Sequence, residues 1–256
     1  IISELKSMPN VIIKNRSQVF GYYDHNMMVM FERVGDHLSN KSKYTPRQRL
    51  WYIRAKETIL STGSIERPIV FGNNDTPGVV LSSAAKEYLK IYGVLVGKKP
   101  IIFTNNDTAY DVAIEFKKNN INPIILDTRL KSNGSIVEEA KNLNIDIRFS
   151  HGVVNSGGYK RVKYAIIGKL NSDKSGYEHL EKVSCDCICI SGNWTPTVHL
   201  SSQSGNKLKF DNKIDAFIPN QSRQNESAIG SANGSFTLKK SLDDGFNKGY
   251  ELSSKI

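Results

Sequence analysis

A chain of 256 residues is long enough to bury a substantial core in one or two domains. Its 35 Lys and Arg against 25 Asp and Glu give a formal charge of +10; the lysines are scattered without Lys-Arg blocks, so a basic solvated surface or a docking face for an acidic partner is expected, and no nucleic-acid binding. No apolar run is long enough for a membrane span, no secretory h-region occurs, and the three cysteines imply no disulfide framework, which points to a reducing cytoplasm. The chain opens on Ile1 rather than Met, as a fragment or a processed chain would. Val11-Ile-Ile13 and residues 27–34 read as two strands, the second after an Asp24-His-Asn26 turn. A polar segment over 35–48 leads to a strand over 51–60, which runs into Ser61-Thr62-Gly63. A loop over 73–78 and a helix over 82–91 carry the chain away.

A second unit starts at Lys98. Pro100-Ile-Ile-Phe103 reads as a buried strand, 107–119 as an amphipathic helix, and Pro123-Ile-Ile-Leu126 as the next strand, ending at Asp127. That is a βαβ unit, the core of a Rossmann-like domain. Segments 135–143, 145–149 and 162–170 extend it, 183–190 returns as a strand, and 236–252 forms a helix after the Gly230-Ser-Ala-Asn-Gly234 turn. The fold class is therefore α/β. One partial domain comprises 1–95 and 191–256, and a Rossmann-like domain over 96–190 is inserted in it.

Candidate chemistry sits at the turns. The apolar pair Ile59-Leu60 runs into small residues, as a strand does where a nucleotide crosses close to the backbone; Gly63 has no Cβ to clash, and Thr62 offers a hydroxyl and an amide. Glu66 and Arg67 are placed either to hold a ribose or phosphate or to lock the domain junction. The first βα turn of the second unit, Thr104-Asn-Asn-Asp-Thr-Ala109, has none of the glycines that let a pyrophosphate approach. Asp107 there repels phosphate and makes a good N-cap. Asp127 stands where a ribose-binding acid would sit, and with the loop altered it reads as vestigial or structural. Cys185-x-Cys187-x-Cys189 would share one face of a strand, as small buried residues rather than zinc ligands. Tyr22, Tyr23, Asp24 and His25 make either a site with His25 as base or a hydrogen-bonded turn capped by Asp24. Trp194 is expected either to stack on a ring or to fill a core. No Ser-His-Asp order, metal-ligand spacing or P-loop appears, so no catalytic residue and no metal ligand is nominated.

Gly21-Tyr-Tyr-Asp-His-Asn26, the segment 49–68 ending in Ile65-Glu-Arg-Pro68, and Phe71-Gly-Asn-Asn-Asp-Thr-Pro-Gly78 are long and unusual. So are Phe103-Thr-Asn-Asn-Asp-Thr-Ala-Tyr110, Gly192-Asn-Trp-Thr-Pro-Thr-Val-His-Leu200 and Ser231-Ala-Asn-Gly-Ser-Phe236. Together, in this order, they resemble a middle portion of the alpha subunit of heterotetrameric sarcosine oxidase. The resemblance implies a two-dinucleotide-binding-domain architecture: a Rossmann-like domain inserted in part of an FAD/NAD(P)-binding-type domain that carries a β-meander. In that family a glycine-rich turn lies upstream and a folate-binding, aminomethyltransferase-like domain downstream, both outside this sequence.

By the same resemblance, noncovalent NAD is expected at Thr62, Gly63, Glu66, Arg67, Gly230, Ala232, Asn233 and Gly234. Asn233 replaces the acid of a Gly-Asp turn, which suits a nucleotide other than FAD; FAD and FMN are carried mainly by the partner beta subunit. The implied partners are that flavin-bearing subunit, smaller subunits, and tetrahydrofolate on the downstream domain. The implied reaction of the complex is oxidative demethylation of sarcosine to glycine with hydrogen peroxide, the one-carbon unit passing to tetrahydrofolate. His199 lies in a segment expected to face the partner. Two rivals stay open: a subunit of a related opine dehydrogenase or cyanide synthase, and a noncatalytic assembly module with dead nucleotide sites.

Overall fold

Short strands of mixed burial build the first part of the chain. In the computed structural model, which describes residues 1–255, α1 (Ile2–Ser7) precedes β1 (Ser17–Tyr23), β2 (Met27–Arg33) and β3 (Gln48–Arg54), an antiparallel meander in that order. The strand expected at Val11-Ile-Ile13 does not form. Ile12 and Ile13 stay exposed, and β1 takes the edge position because its Tyr22 can bury completely. His25 and Asn26 turn the β1–β2 corner in the left-handed region, at φ 62° and 52°. The expected continuous strand over 51–60 breaks after β3, and β4 (Thr58–Leu60) begins a different sheet. The break has a geometric cause: β3 pairs antiparallel with β2, whereas β4 pairs parallel with a strand from the far end of the chain.

The chain continues through β5 (Ser64–Glu66), β6 (Val79–Leu81), α2 (Ser82–Tyr92), β7 (Pro100–Thr104), α3 (Thr108–Lys118), β8 (Ile124–Asp127), α4 (Ser135–Asn142) and β9 (Asp146–Phe149). Then come β10 (His151–Gly157), β11 (Tyr164–Leu170), β12 (Tyr177–Ser184), β13 (Cys187–Ser191) and β14 (Trp194–Pro196). A parallel sheet forms in the order β6-β13-β7-β8-β9, and an antiparallel one in the order β10-β11-β12. Every residue of β7 and of β13 is buried, as a parallel strand covered on both faces requires. Ile102, Cys187 and Cys189 face Tyr110 and Phe116 of α3 and Val137 of α4. Ile101, Phe103, Ile188 and Ile190 face Val153, Ala165 and Ile167 of the antiparallel sheet.

The strand expected over 183–190 is two strands. β12 belongs to the antiparallel sheet and β13 to the parallel one, and Asp186 marks the switch by accepting the Lys98 and Lys99 amides at 2.9 and 2.8 Å. Cys185 therefore does not share a face with its neighbours; it packs beside Phe71, while Cys187 and Cys189 lie on the helix side with their sulfurs 3.6 Å apart.

The last stretch contains α5 (His199–Gln203), the hairpin β15 (Lys207–Asp211) and β16 (Ala216–Gln221), β17 (Glu226–Ala228), a 3-10 turn over Gly230–Asn233, and α6 (Leu238–Ser253). β17 pairs parallel with β4, Thr58 opposite Glu226 and Leu60 opposite Ala228. The chain divides into two units, 1–65 with 196–256, and 66–195. Residues 66–95 cluster with the second unit, because β6 is a strand of the parallel sheet and α2 adds Ala85 to the helix-side core.

Candidate functional site

Ligands of open α/β sheets lie outside the carboxyl ends of the parallel strands. In the first unit those ends belong to β4 and β17. After Leu60 the chain turns through Ser61, Thr62 and Gly63, the last at φ +76°. Thr62 Oγ1 donates to the Thr197 carbonyl at 2.7 Å, and the Thr197 amide returns a bond to the Gly63 carbonyl at 2.9 Å. Alongside, the Ile229 amide donates to the Leu60 carbonyl at 3.0 Å. Gly230 (φ +62°) then opens the 3-10 turn that Gly234 (φ +82°) closes. The fold thus brings Thr62, Gly63, Gly230, Ala232, Asn233 and Gly234 to one end of the β4–β17 ribbon, with Ala232 buried beneath and Asn233 exposed. A Cβ added at Gly63 would meet only Ser231 Oγ, at 4.0 Å, so the chain's own atoms leave room for a close-approaching ligand. The Gly230 amide itself is taken, donating to Asp244 Oδ2 at 3.2 Å.

Glu66 and Arg67 fall in the second unit. Glu66 is buried, and its Oε2 accepts from the Ser83 amide at 2.8 Å and from Ser83 Oγ at 2.6 Å. A carboxylate there complements the positive end of α2 and satisfies one of its otherwise orphan amides. Arg67 Nε donates to the Gly192 carbonyl at 3.1 Å. The Glu66 bonds tie the start of this unit to α2, and the Arg67 bond ties it to the residue after β13.

The first βα turn of the second unit is filled by its own side chains. Asn106, not Asp107, caps α3: its Oδ1 accepts the Thr108 amide at 3.0 Å, and its Nδ2 donates to the carbonyl and hydroxyl oxygens of Ser191 at 3.0 and 3.1 Å. Asp107 is already helical (φ −78°, ψ −19°) and makes no side-chain cap, which overturns the role expected for it. Its carboxylate accepts instead from Ser132 Oγ at 2.9 Å and pairs with Arg129 Nη2 at 2.7 Å. Arg129 also grips Asp127, Nε to Oδ1 at 3.0 Å and Nη2 to Oδ2 at 2.7 Å, and Tyr110 donates to Asp127 Oδ2 at 2.7 Å. Asp127 is fully buried within this network. Burial and then the neighbouring carboxylate push the Tyr110 hydroxyl well above its ordinary range, so it remains a donor. The two carboxylates hold Arg129 protonated against the opposing effect of burial. Trp194 closes the same region, donating from Nε1 to Thr108 Oγ1 at 3.2 Å beside a cleft of about 410 Å³ that Lys86, Ile91 and Val112 also line.

The Tyr-Tyr-Asp-His segment forms a hydrogen-bonded turn whose anchor is Asn26, the last residue of the turn. Its amide donates to Gln224 Oε1 at 2.6 Å, its Nδ2 to the Lys56 and Asn225 carbonyls at 3.2 and 3.1 Å, and its Oδ1 accepts from the Tyr22 hydroxyl at 3.0 Å. Burial raises Tyr22 above its ordinary pKa. His25 is exposed at the turn. The three cysteines are buried and free. Burial pushes the Cys185 thiol up to about 12, and a bond to Cys187 together with burial pushes Cys189 up as well. Among the described residues no group of three or more His, Cys, Asp or Glu is placed to hold a metal, and no helix is long and apolar enough to cross a membrane.

No protein-family profile matches the chain. Curated relatives do. The sarcosine oxidase subunit alpha of Corynebacterium sp. (strain P-1) is 31% identical over 251 residues, 95% of this chain and 25% of the relative. That of Rhizobium meliloti (strain 1021) is 32% identical over 249 residues, 94% of this chain and 23% of the relative. The chain thus spans about a quarter of the length of these relatives. Solved structures share its fold. They include thioredoxin reductase from T. acidophilum (TM-score 0.64, 18% identity, 81% of this chain and 69% of that one) and L-proline dehydrogenase from P. horikoshii (0.62, 20%, 88% and 37%).

Proposed function

This chain is a relative of the sarcosine oxidase alpha subunit, matched to about a quarter of that subunit's length, and from that premise we propose that it is a nucleotide-binding scaffold segment of an oxidoreductase of this kind. The observation that carries the proposal is the paired turn at the carboxyl ends of β4 and β17, where Gly63 leaves the backbone open. NAD fits there: Gly63 lets the dinucleotide pass close to the chain, Thr62 and Gly230 shape the turn, and Asn233 and Gly234 border the exposed side. Glu66 and Arg67 contribute by fixing the start of the second unit, since the Glu66 carboxylate is committed to Ser83.

In this reading the chain contributes no catalytic group. Sarcosine oxidation requires removal of a hydride equivalent from the N-methyl group and its delivery to dioxygen, giving glycine, hydrogen peroxide and a one-carbon unit for tetrahydrofolate. Flavin on a partner subunit supplies that redox chemistry when bound. The residues here orient and wall. The whole assembly is a hetero-oligomer in the cytoplasm.

A second reading is favoured by one observation, the self-satisfied Thr104–Ala109 turn with its Asp107–Arg129–Asp127 network. It makes the chain an assembly module that binds no nucleotide at either unit. The two are separated by purifying the intact native subunit through a tag and assaying what co-assembles. Sarcosine-dependent peroxide with NAD retained supports the scaffold. Peroxide without any nucleotide in the subunit moves the assignment to the assembly module. A flavin-bearing complex silent toward sarcosine but active on an opine or on glycine removes the substrate assignment.

A further inference from the structure

The β4–β17 ribbon begins on two buried polar side chains. Thr58 and Glu226 are register partners, and partners on adjacent parallel strands project to the same face. They are 7% and 6% exposed, yet Thr58 Oγ1 and Glu226 Oε1 each have no hydrogen-bond partner among the described residues. Glu226 Oε2 is little better served. Ser204 Oγ lies 2.7 Å from it and 2.7 Å from the Ser201 carbonyl, and a hydroxyl has one proton for these two acceptors. Ser204 is the one donor to this carboxylate among the described residues, so no cation of the chain sits on it. A buried ionised carboxylate is ordinarily paired or holds a metal ion.

A third oxygen faces the same pair. The Tyr22 hydroxyl, raised above its ordinary pKa first by burial, is affected in turn by the Thr58 hydroxyl and by the Glu226 and Glu57 carboxylates. It donates its own proton to Asn26 Oδ1 at 3.0 Å, which leaves its oxygen free to accept. The basic residues that precede the two strands, Lys56 and Arg223, are exposed and line a polar pocket of about 560 Å³ with Asp24 and His25. The surplus of buried oxygen at this end of the ribbon therefore carries negative charge and lacks a counter-charge.

We propose that Glu226 Oε1 and Thr58 Oγ1, with the Tyr22 hydroxyl oxygen, hold a monovalent hard cation, sodium or potassium, at the amino end of the β4–β17 ribbon. The donors are all oxygen, as hard cations require, and one carboxylate balances one charge. A divalent ion is the poorer occupant, since among the described residues no group of three or more His, Cys, Asp or Glu converges to hold a metal. The ion would fasten β1, β4 and β17 to one another, and through Ser204 to the residue that follows α5. Both strands of the ribbon are three residues long, so the end that carries the Gly63 and Gly230 turns lies only two residues beyond this fastening.

The test is hydrogen–deuterium exchange, read by mass spectrometry on the intact native subunit in choline, sodium and potassium chloride at one pH and ionic strength. Peptides over 55–60, 200–206 and 224–228 should exchange roughly tenfold more slowly once sodium or potassium stands about tenfold above its dissociation constant, because binding multiplies the closed population in that proportion. Peptides over 100–127, in the other unit, should exchange alike in all three salts. Glu226→Gln keeps the size of the side chain and an acceptor oxygen but removes the charge, and should abolish the difference between salts. Equal exchange in the three salts overturns the proposal. So does ion-specific protection that survives Glu226→Gln, or protection given by magnesium or calcium chloride alone. If Glu226→Gln does not fold, Thr58→Val takes its place: a weakened response to the ion supports the site, and an unaltered one overturns it. NAD content, measured on the same preparations, reports on the nucleotide turn separately.

Discussion

The two units each present a turn at the carboxyl end of a parallel strand, and the turns differ in what fills them. In the first unit the space over Gly63 is left empty by the chain, and the flanking bonds run from backbone to backbone, from Thr62 to a carbonyl and from the Gly230 amide to Asp244. In the second, Asn106, Asp107, Asp127, Arg129 and Tyr110 occupy the corresponding region with bonds to one another. A dinucleotide needs amides free to point at phosphate and a backbone it can approach. Only the first turn meets the second of those requirements; the second turn spends its polar groups internally and gains stability instead.

Substitutions can break that contrast. The largest effect is expected from Gly63→Val in the intact subunit: a branched Cβ enters the space the ligand would use, and NAD content falls to nothing. Circular dichroism must first establish folding, since a β-branched residue at φ +76° costs about 1–3 kcal/mol on its own. Undiminished NAD would remove the site assignment. Next is Asp127→Ala. It leaves the Tyr110 hydroxyl without its acceptor in the interior and removes one of the two carboxylates on Arg129, Asp107 remaining, and a loss of about 2 kcal/mol in urea unfolding is expected, with NAD content unchanged. Asn106→Ala removes the α3 cap and the ties to Ser191, for about 1.5 kcal/mol. Smallest is Asp107→Ala, at most about 1 kcal/mol, because the pair it breaks is partly exposed and no cap is lost. If Asp107→Ala proves costlier than Asn106→Ala, the cap has been misassigned. If any of these three depletes NAD, the second turn is a binding site after all and the contrast collapses.

Much of this was legible in the sequence. Pro100-Ile-Ile-Phe103 and Pro123-Ile-Ile-Leu126 are apolar throughout because the sheet is covered on both faces. What escaped had physical causes. Neither 54–58 nor 184–187 contains a glycine or proline to mark a break, yet each time the chain changes sheets, and pairing partners are not written locally. The cap of α3 was misread by one position because Asn105-Asn106-Asp107 offers three eligible side chains; backbone torsion decides among them, and Asp107 had already entered the helix. Glu66 read either as a ribose contact or as a lock of the junction, and its bond to Ser83, seventeen residues later, is not written beside it.

The buried cysteines carry a consequence for durability. Peroxide attacks the thiolate, not the thiol. With Cys185 raised to about 12 and Cys189 raised as well, both of them buried, almost none of that anion exists at these two positions near neutral pH. Cys185 and Cys189 would on this account resist sulfenic acid formation by peroxide for as long as the fold around them holds.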